Sequence, residues 1–171
     1  MIESMVPSEI CLQCDVCCRF PESDSPLAPY FTVEEVKGLL PADRQRVQFA
    51  RGQSGKIGLV RFPDRFESPG HQGGCVCPFF DPLSHHCSIY NVRPFDCQIY
   101  PFALMTDGTN IFAGIDGKCP FVQDPANHPA IERHSKLFIE MMESAPFREM
   151  IRKNPGLIGP LQDDVTVLRK L

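Results

Sequence analysis

Cys11-Leu12-Gln13-Cys14-Asp15-Val16-Cys17-Cys18 places four of the chain's nine cysteines within eight residues, in the order C-x-x-C-x-x-C-C. Thiols held this close bind metal, pair as disulfides or run redox chemistry. The other five, Cys75, Cys77, Cys87, Cys97 and Cys119, follow after a long gap. Nine is an odd number, which a fully paired disulfide framework cannot use. The opening Met1-Ile2-Glu3-Ser4-Met5-Val6-Pro7 has no basic region leading into an apolar run, and no apolar run approaches the roughly 20 residues of a membrane span. The expected compartment is the cytoplasm, where structural disulfides are rare. Metal is therefore the expected role of most of these thiols, and no membrane association is expected.

The spacing constrains the metal chemistry. Cys11/Cys14 and Cys14/Cys17 are both C-x-x-C pairs, in which the chain turns so that two sulfurs face one ion. Zinc uses this spacing, and so do iron–sulfur clusters. The run Cys11-x-x-Cys14-x-x-Cys17 has ferredoxin spacing, but Cys18 follows at once instead of after three residues and a proline. Adjacent side chains diverge, by about 180° on a strand and 100° on a helix. Cys17 and Cys18 are thus expected to serve different metals or different atoms of one cluster. Setting one cysteine of the nine aside leaves eight, enough for two four-cysteine sites or one site of higher nuclearity. On an ideal helix Cys11, Cys14 and Cys18 would share a face.

Composition bounds the rest. A chain of 171 residues fits one domain with a real core. A formal net charge of −4 argues against a broad electrostatic grip on nucleic acid. The 17 prolines and 12 glycines predict a loop-rich fold, while 43% hydrophobic and 22% charged residues argue against disorder.

Residues 1–10 read as a lead-in. Thr32-Val33-Glu34-Glu35 is a capping box opening a helix over about 33–40, with Val36, Leu39 and Leu40 as its apolar stripe. Pro41 closes that helix or opens a second over about 42–50. Together these form a helical insert over about 33–50. Ile57–Phe62 reads as a strand, and Pro63–Gly74 as a surface loop. Asp107-Gly108 between two apolar runs predicts a hairpin over about 102–113. Ile131, His134, Leu137, Phe138, Met141 and Ala145 carry a helical period over about 130–144, and a shorter helix follows over about 147–153. Residues 154–171 read as a tail without a clear period.

From Cys75 onward the chain reads Cys77-Pro78-Phe79-Phe80, then Cys87-Ser88-Ile89-Tyr90, then Arg93-Pro94-Phe95-Asp96-Cys97, then Tyr100-Pro101-Phe102, with Cys119 last. With C-x-x-C-x-x-C-C ahead of it, this resembles the zinc- or iron-chelating cysteine-cluster family, also called the YkgJ family, over about Cys11 to Phe121. Phe80 stands where the family pattern has leucine. The resemblance implies metal ligands at Cys11, Cys14, Cys17, Cys18, Cys77, Cys87, Cys97 and Cys119, with Cys75 outside the pattern. The family is also similar to the cysteine region of flagellin lysine-N-methylases. That similarity would imply an iron–sulfur centre, a 4Fe-4S cluster among the options, and S-adenosylmethionine.

The fold expected is α+β: a small, irregular single domain over about 11–153, organised around a cysteine–metal core, with the C-terminal helix packed on it. Phe79, Phe80, Tyr90 and Phe102 are its expected apolar shell. Arg93 is expected to pair near the site or to offset the thiolates' charge. His85 and His86 read first as an exposed loop pair, with zinc ligation as the alternative. His71, His128 and His134 read as ordinary surface or half-buried residues. No P-loop, dinucleotide fingerprint, nucleophile elbow or H-E-x-x-H is present, so no catalytic residue stands out. Three functions stay open: a metal-binding module with a structural or protein-docking role, an iron–sulfur component for electron transfer or a methylation-type reaction, and metal storage.

Overall fold

The computed structural model describes residues 4–49, 55–61 and 74–171. The architecture is α+β, as the sequence predicts. The chain forms two compact units: Cys11–Cys97, and a second that joins Met1–Ile10 to Gln98–Leu171.

The first unit is built from very short pieces. Helix α1 (Ser8–Cys11) leads through a 3-10 turn at Val16–Cys18 into β1 (Arg19–Phe20). Then come β2 (Tyr30–Phe31), α2 (Val33–Gly38), α3 (Pro41–Arg46), β3 (Gly55–Lys56), β4 (Val60–Arg61), β5 (Cys75–Val76), β6 (Phe80–Asp81), β7 (His86–Cys87) and α4 (Phe95–Gln98). Strands β1, β5 and β4 make one sheet in that order, and β2–β3 and β6–β7 pair separately. Apolar burial gathers Phe20, Phe31, Val36, Leu39, Ile57, Val76, Phe79, Phe80 and Ile89 with Cys75 and Cys77, and Cys18 and Cys87 pack on its edge. Phe31 and Phe79 lie with ring centroids 6.0 Å apart. The thiols therefore border a real hydrophobic core.

In the second unit, β8 (Phe102–Thr106) and β9 (Ile111–Asp116) form the expected hairpin. Its turn is locked by Asp107, whose carboxylate accepts from the amides of Thr109 at 2.8 Å and Asn110 at 2.7 Å, while Gly108 supplies φ +91. After α5 (Pro120–Gln123), α6 (His128–Glu143) and α7 (Ala145–Lys153), the chain adds β10 (Gly159–Pro160) parallel to β8 and β11 (Val165–Lys170) antiparallel to β9. Phe138 of α6 stacks on Phe102 of β8, centroids 4.5 Å apart and planes 9° from parallel. The face of α6 that goes inward holds Phe138 and Met142, while Leu137 is 54% exposed, so the apolar stripe is narrower than its sequence suggests.

Other readings shift locally. The capping box forms as predicted: Thr32 Oγ1 accepts from Glu35 N at 3.2 Å, and Glu35 Oε2 accepts from Thr32 N at 2.8 Å. Leu40, expected inside, is 69% exposed, because α2 stops at Gly38 and Leu40 becomes the N-cap of α3, with Pro41 opening that helix. Helix α3 ends at Arg46, short of residue 50, and Phe49 instead bridges Ile57. The strand expected at Ile57–Phe62 is broken into that bridge and β4, and Phe62 lies outside the described residues. So do His71 and all of the Pro63–Gly74 loop but Gly74. In the opening segment, Met5 and Val6 are buried. The expected tail contains β11, which the sequence hides because its side chains past Val165 are exposed or half-buried.

Candidate metal centre

Strand pairing joins the two cysteine segments. In the antiparallel β1–β5 ladder Arg19 faces Val76 and Phe20 faces Cys75. The ladder continues one step: Cys77 N donates to Cys18 O at 3.0 Å. The Cys17-Cys18 end of the first motif is thereby laid beside Cys77. From Cys77 a tight turn, with Phe80 N donating to Cys77 O at 3.0 Å, starts the β6–β7 hairpin. Its register sets Phe80 opposite Cys87 and so returns Cys87 toward Cys77. A 3-10 turn at Tyr90–Val92 and Arg93-Pro94 then lead to α4, which carries Cys97 in its first turn.

The first motif is turns rather than one helix. Cys14 N donates to Cys11 O at 3.2 Å and Cys18 N to Asp15 O at 3.0 Å, so the face expected of Cys11, Cys14 and Cys18 does not form. The compact 3-10 turn also keeps the Cys17 and Cys18 sulfurs together, 4.0 Å apart, instead of diverging. Two thiolates on one tetrahedral zinc, each about 2.3 Å from the metal, lie about 3.8 Å from each other. This pair therefore has the separation of two ligands on one ion.

Seven thiols feel one another. The charge on Cys17 raises the pKa values of Cys11, Cys14, Cys18, Cys77, Cys87 and Cys97. Burial is the main cause for five of them; it pushes Cys77 up to about 12 and Cys97 well above its ordinary value. For Cys18 the hydrogen bond with Cys17 comes first and burial second. The protein alone thus disfavours thiolates here. A bound dication reverses that balance, since a coordinating thiol is deprotonated outright. The donor chemistry fits zinc or iron. As the side chains stand, no group of three or more His, Cys, Asp or Glu among the described residues is arranged to hold an ion. The thiols form a neighbourhood rather than a finished cage.

Two cysteines remain. Cys75 is buried on β5 within the apolar core. Cys119 is buried in the second unit, where it is the N-cap residue of α5.

Arginines line the thiols. Arg93 Nη1 is 3.8 Å from Cys11 Sγ and its guanidinium lies over the Tyr90 ring, 4.2 Å from the centroid. Arg46 donates to Pro78 O and to Ser88 Oγ, its guanidinium 5.3 Å from the Phe79 ring centroid, and its charge lowers the Cys77 pKa against burial. Asp15, inside the first motif, pairs with Arg19, and His85 Nδ1 is 4.0 Å from the same carboxylate. His85 has φ +57 at the hairpin tip and is half-buried, while His86 is exposed. Of the expected apolar shell, Phe79 and Phe80 are buried with the thiols, Tyr90 is half-buried beside Cys11, and Phe102 belongs to the second unit.

The sequence does not reveal three charged residues around Cys97. Glu35 is legible only as a capping residue, Asp96 only as a variable position of the Arg93–Cys97 pattern, and Lys56 carries no signal. Glu35 Oε1 accepts from Phe95 N at 2.6 Å, and Asp96 Oδ2 accepts from Tyr30 N at 2.9 Å. Asp96 is half-buried; desolvation raises its pKa and Lys56 opposes that rise. Burial likewise lowers the Lys56 pKa, against the charge of Asp96. The short span Pro94-Phe95-Asp96-Cys97 was the available signal, since a carboxylate beside a ligand is a frequent outer partner.

Comparison with known proteins covers the stretch that carries the cysteines. A family model described as "CxxCxxCC: Putative zinc- or iron-chelating domain" matches residues 10–124, about two thirds of the chain. The chain belongs to this family. It is also 27% identical over 96 residues to an uncharacterized protein of Methanocaldococcus jannaschii, covering 55% of this chain and 44% of that one, so the match spans less than half of the relative. No solved structure matches the chain.

Proposed function

Given that family membership, we propose that the Cys11–Cys97 unit holds a thiolate-ligated zinc or iron centre. Its ligands come from Cys11, Cys14, Cys17, Cys18, Cys77, Cys87 and Cys97. Cys119, the eighth ligand, rests on the family pattern alone. The observation that carries the reading is the backbone bond from Cys77 N to Cys18 O at 3.0 Å, which lays the Cys17 and Cys18 sulfurs, 4.0 Å apart, beside the second cysteine segment. Metal would stabilise the fold as well, because the short strands of this unit supply few backbone contacts of their own; structural zinc in small peptides contributes roughly 10–16 kcal/mol. All nine cysteines are free thiols, which supports a reducing compartment such as the cytoplasm. Among the described residues no helix is long and apolar enough to cross a membrane. A module of this kind suits a structural role or docking of a protein partner.

Seven thiols are more than one zinc takes, which favours a second reading: an iron–sulfur centre serving electron transfer or a lysine-methylation-type reaction. S-adenosylmethionine enters only with the methylase likeness. Elemental analysis and visible absorption of anaerobically purified protein separate these. Colourless, zinc-loaded protein supports the structural module. A brown, oxygen-sensitive preparation with a reducible visible band supports the iron–sulfur reading. Protein that retains no metal and takes up none on reconstitution overturns both.

A further inference from the structure

Glu35 and Asp96 each accept the backbone of the other's segment. Phe95 N donates to Glu35 Oε1 at 2.6 Å, and Tyr30 N donates to Asp96 Oδ2 at 2.9 Å. The exchange is reciprocal, and both bonds reach 60 residues or more along the sequence. Phe95 opens α4, so its amide is one of the donors that a helix start leaves unsatisfied. Glu35 satisfies it from outside. The other Glu35 oxygen is held by Thr32 N and Thr32 Oγ1, at 2.8 and 3.0 Å, so the carboxylate cannot swing away without opening the start of α2. Asp96 is half-buried, with Lys56 as its cationic neighbour. Lys56 pairs with Tyr30 across β2–β3 and donates to Ala28 O at 3.2 Å. Residues 28–35 and 56 thus grip the two residues that precede Cys97, from both sides. Breaking this set leaves the Phe95 and Tyr30 amides without their partners.

We infer that Glu35 and Asp96 are positioning residues for Cys97: their clasp fixes α4 and so holds the Cys97 thiol for metal binding. This inference rests on the thiolate–metal reading above. It makes the arm that carries α2 a determinant of metal retention, although it supplies no thiol. Outer partners of metal ligands typically cost 10–100-fold in affinity when removed, and a partner acting through the backbone belongs at the low end, about tenfold.

The test loads the full chain with Co2+ anaerobically and follows two signals, the thiolate-to-cobalt charge-transfer absorption and the rate of release to excess chelator. Glu35→Gln and Asp96→Asn should each release cobalt about tenfold faster, with charge-transfer intensity lower by about one thiolate's share. Val36→Ala is the structural comparison, because it trims a buried side chain of the same helix and touches neither bond of the clasp. It should lower thermal stability and leave release at the wild-type rate. Should Asp96→Asn fail to fold, Glu35→Gln alone carries the test. Wild-type release from Glu35→Gln overturns the positioning role and leaves metal binding standing, as does release from Val36→Ala as fast as from Glu35→Gln. Wild-type protein that takes up no Co2+ overturns the metal reading and the positioning role with it.

Discussion

Cys77 donates its backbone N–H to the carbonyl of Cys18 at 3.0 Å, so the two halves of the cysteine pattern are joined by main chain before any metal is considered. The bond extends the β1–β5 ladder, and it makes one thiol neighbourhood out of segments nearly sixty residues apart. Metal binding then acts on thiols already gathered. Apolar burial supplies the gathering force, since Phe20, Val76, Phe79 and Phe80 flank the same ladder.

Gly74 tests that ladder. A Cβ placed there would stand 2.7 Å from the carbonyl oxygen of Phe20, a backbone atom with little room to yield. Gly74→Ala should therefore push β5 off β1 at a cost of roughly 1–3 kcal/mol, the usual range for forced overpacking. Thermal melting of the metal-stripped protein reads this directly, and metal content of the purified variant should fall as well. An unchanged melting temperature would mean that the strand junction is not what joins the segments.

Cys17 and Cys75 should part company. Cys17 is the thiol to which the other six respond, whereas Cys75 sits in the apolar core. Cys17→Ala is expected to lose metal and stability together. Cys75→Ala should keep its metal and lose only packing, about 1 kcal/mol for a small buried side chain. Metal-to-protein ratios from elemental analysis decide it; equal metal loss in both variants would make Cys75 a ligand and contradict the assignment.

The contrast shows what the sequence carries. Local chemistry was legible: the Thr32–Glu35 capping box, the Asp107-Gly108 turn and the α6 period all formed. So was the family pattern of cysteines. The adjacent Cys17 and Cys18 sulfurs were not, because a 3-10 turn brings together what a strand or an α-helix would spread. The strand β11 was missed because its side chains past Val165 give no alternating burial. Non-local pairings, Cys18 with Cys77 and Glu35 with Phe95, leave no periodic trace in either partner.

Alkali and acid should act oppositely on the stripped and loaded forms. In the stripped protein the thiol pKa values are raised, that of Cys77 to about 12 from 9.0, with burial as the largest cause. An unfolded chain then releases protons near pH 9 that the folded chain keeps to higher pH. Stability is fully present below about pH 9 and falls as pH climbs toward Cys77's folded value. In the loaded protein the ligated thiolates are held deprotonated, so acid weakens it instead. Urea midpoints at about pH 8 and about pH 10 should fall for the stripped form and hold or rise for the loaded one. A stripped-form midpoint that rises over this interval would contradict the buried, proton-retaining thiols described here.

Arg93 gives Cys11 a reactivity of its own. Burial and the charge on Cys17 raise its pKa, but the guanidinium 3.8 Å away and the Tyr90 hydroxyl work in the other direction. A nearby cation favours the thiolate, and removing it leaves burial and the Cys17 charge less opposed. In metal-stripped Arg93→Gln the thiolate fraction of Cys11 should fall about tenfold near neutral pH, and its alkylation should slow to match. Arg93→Lys keeps the charge and should recover part of the rate, though the planar stacking on Tyr90 is lost. Peptide mapping after brief iodoacetamide treatment measures Cys11 separately from the other thiols. Alkylation of Cys11 at the wild-type rate in Arg93→Gln would show that the guanidinium does not govern that thiol, and that its place beside Tyr90 serves packing alone.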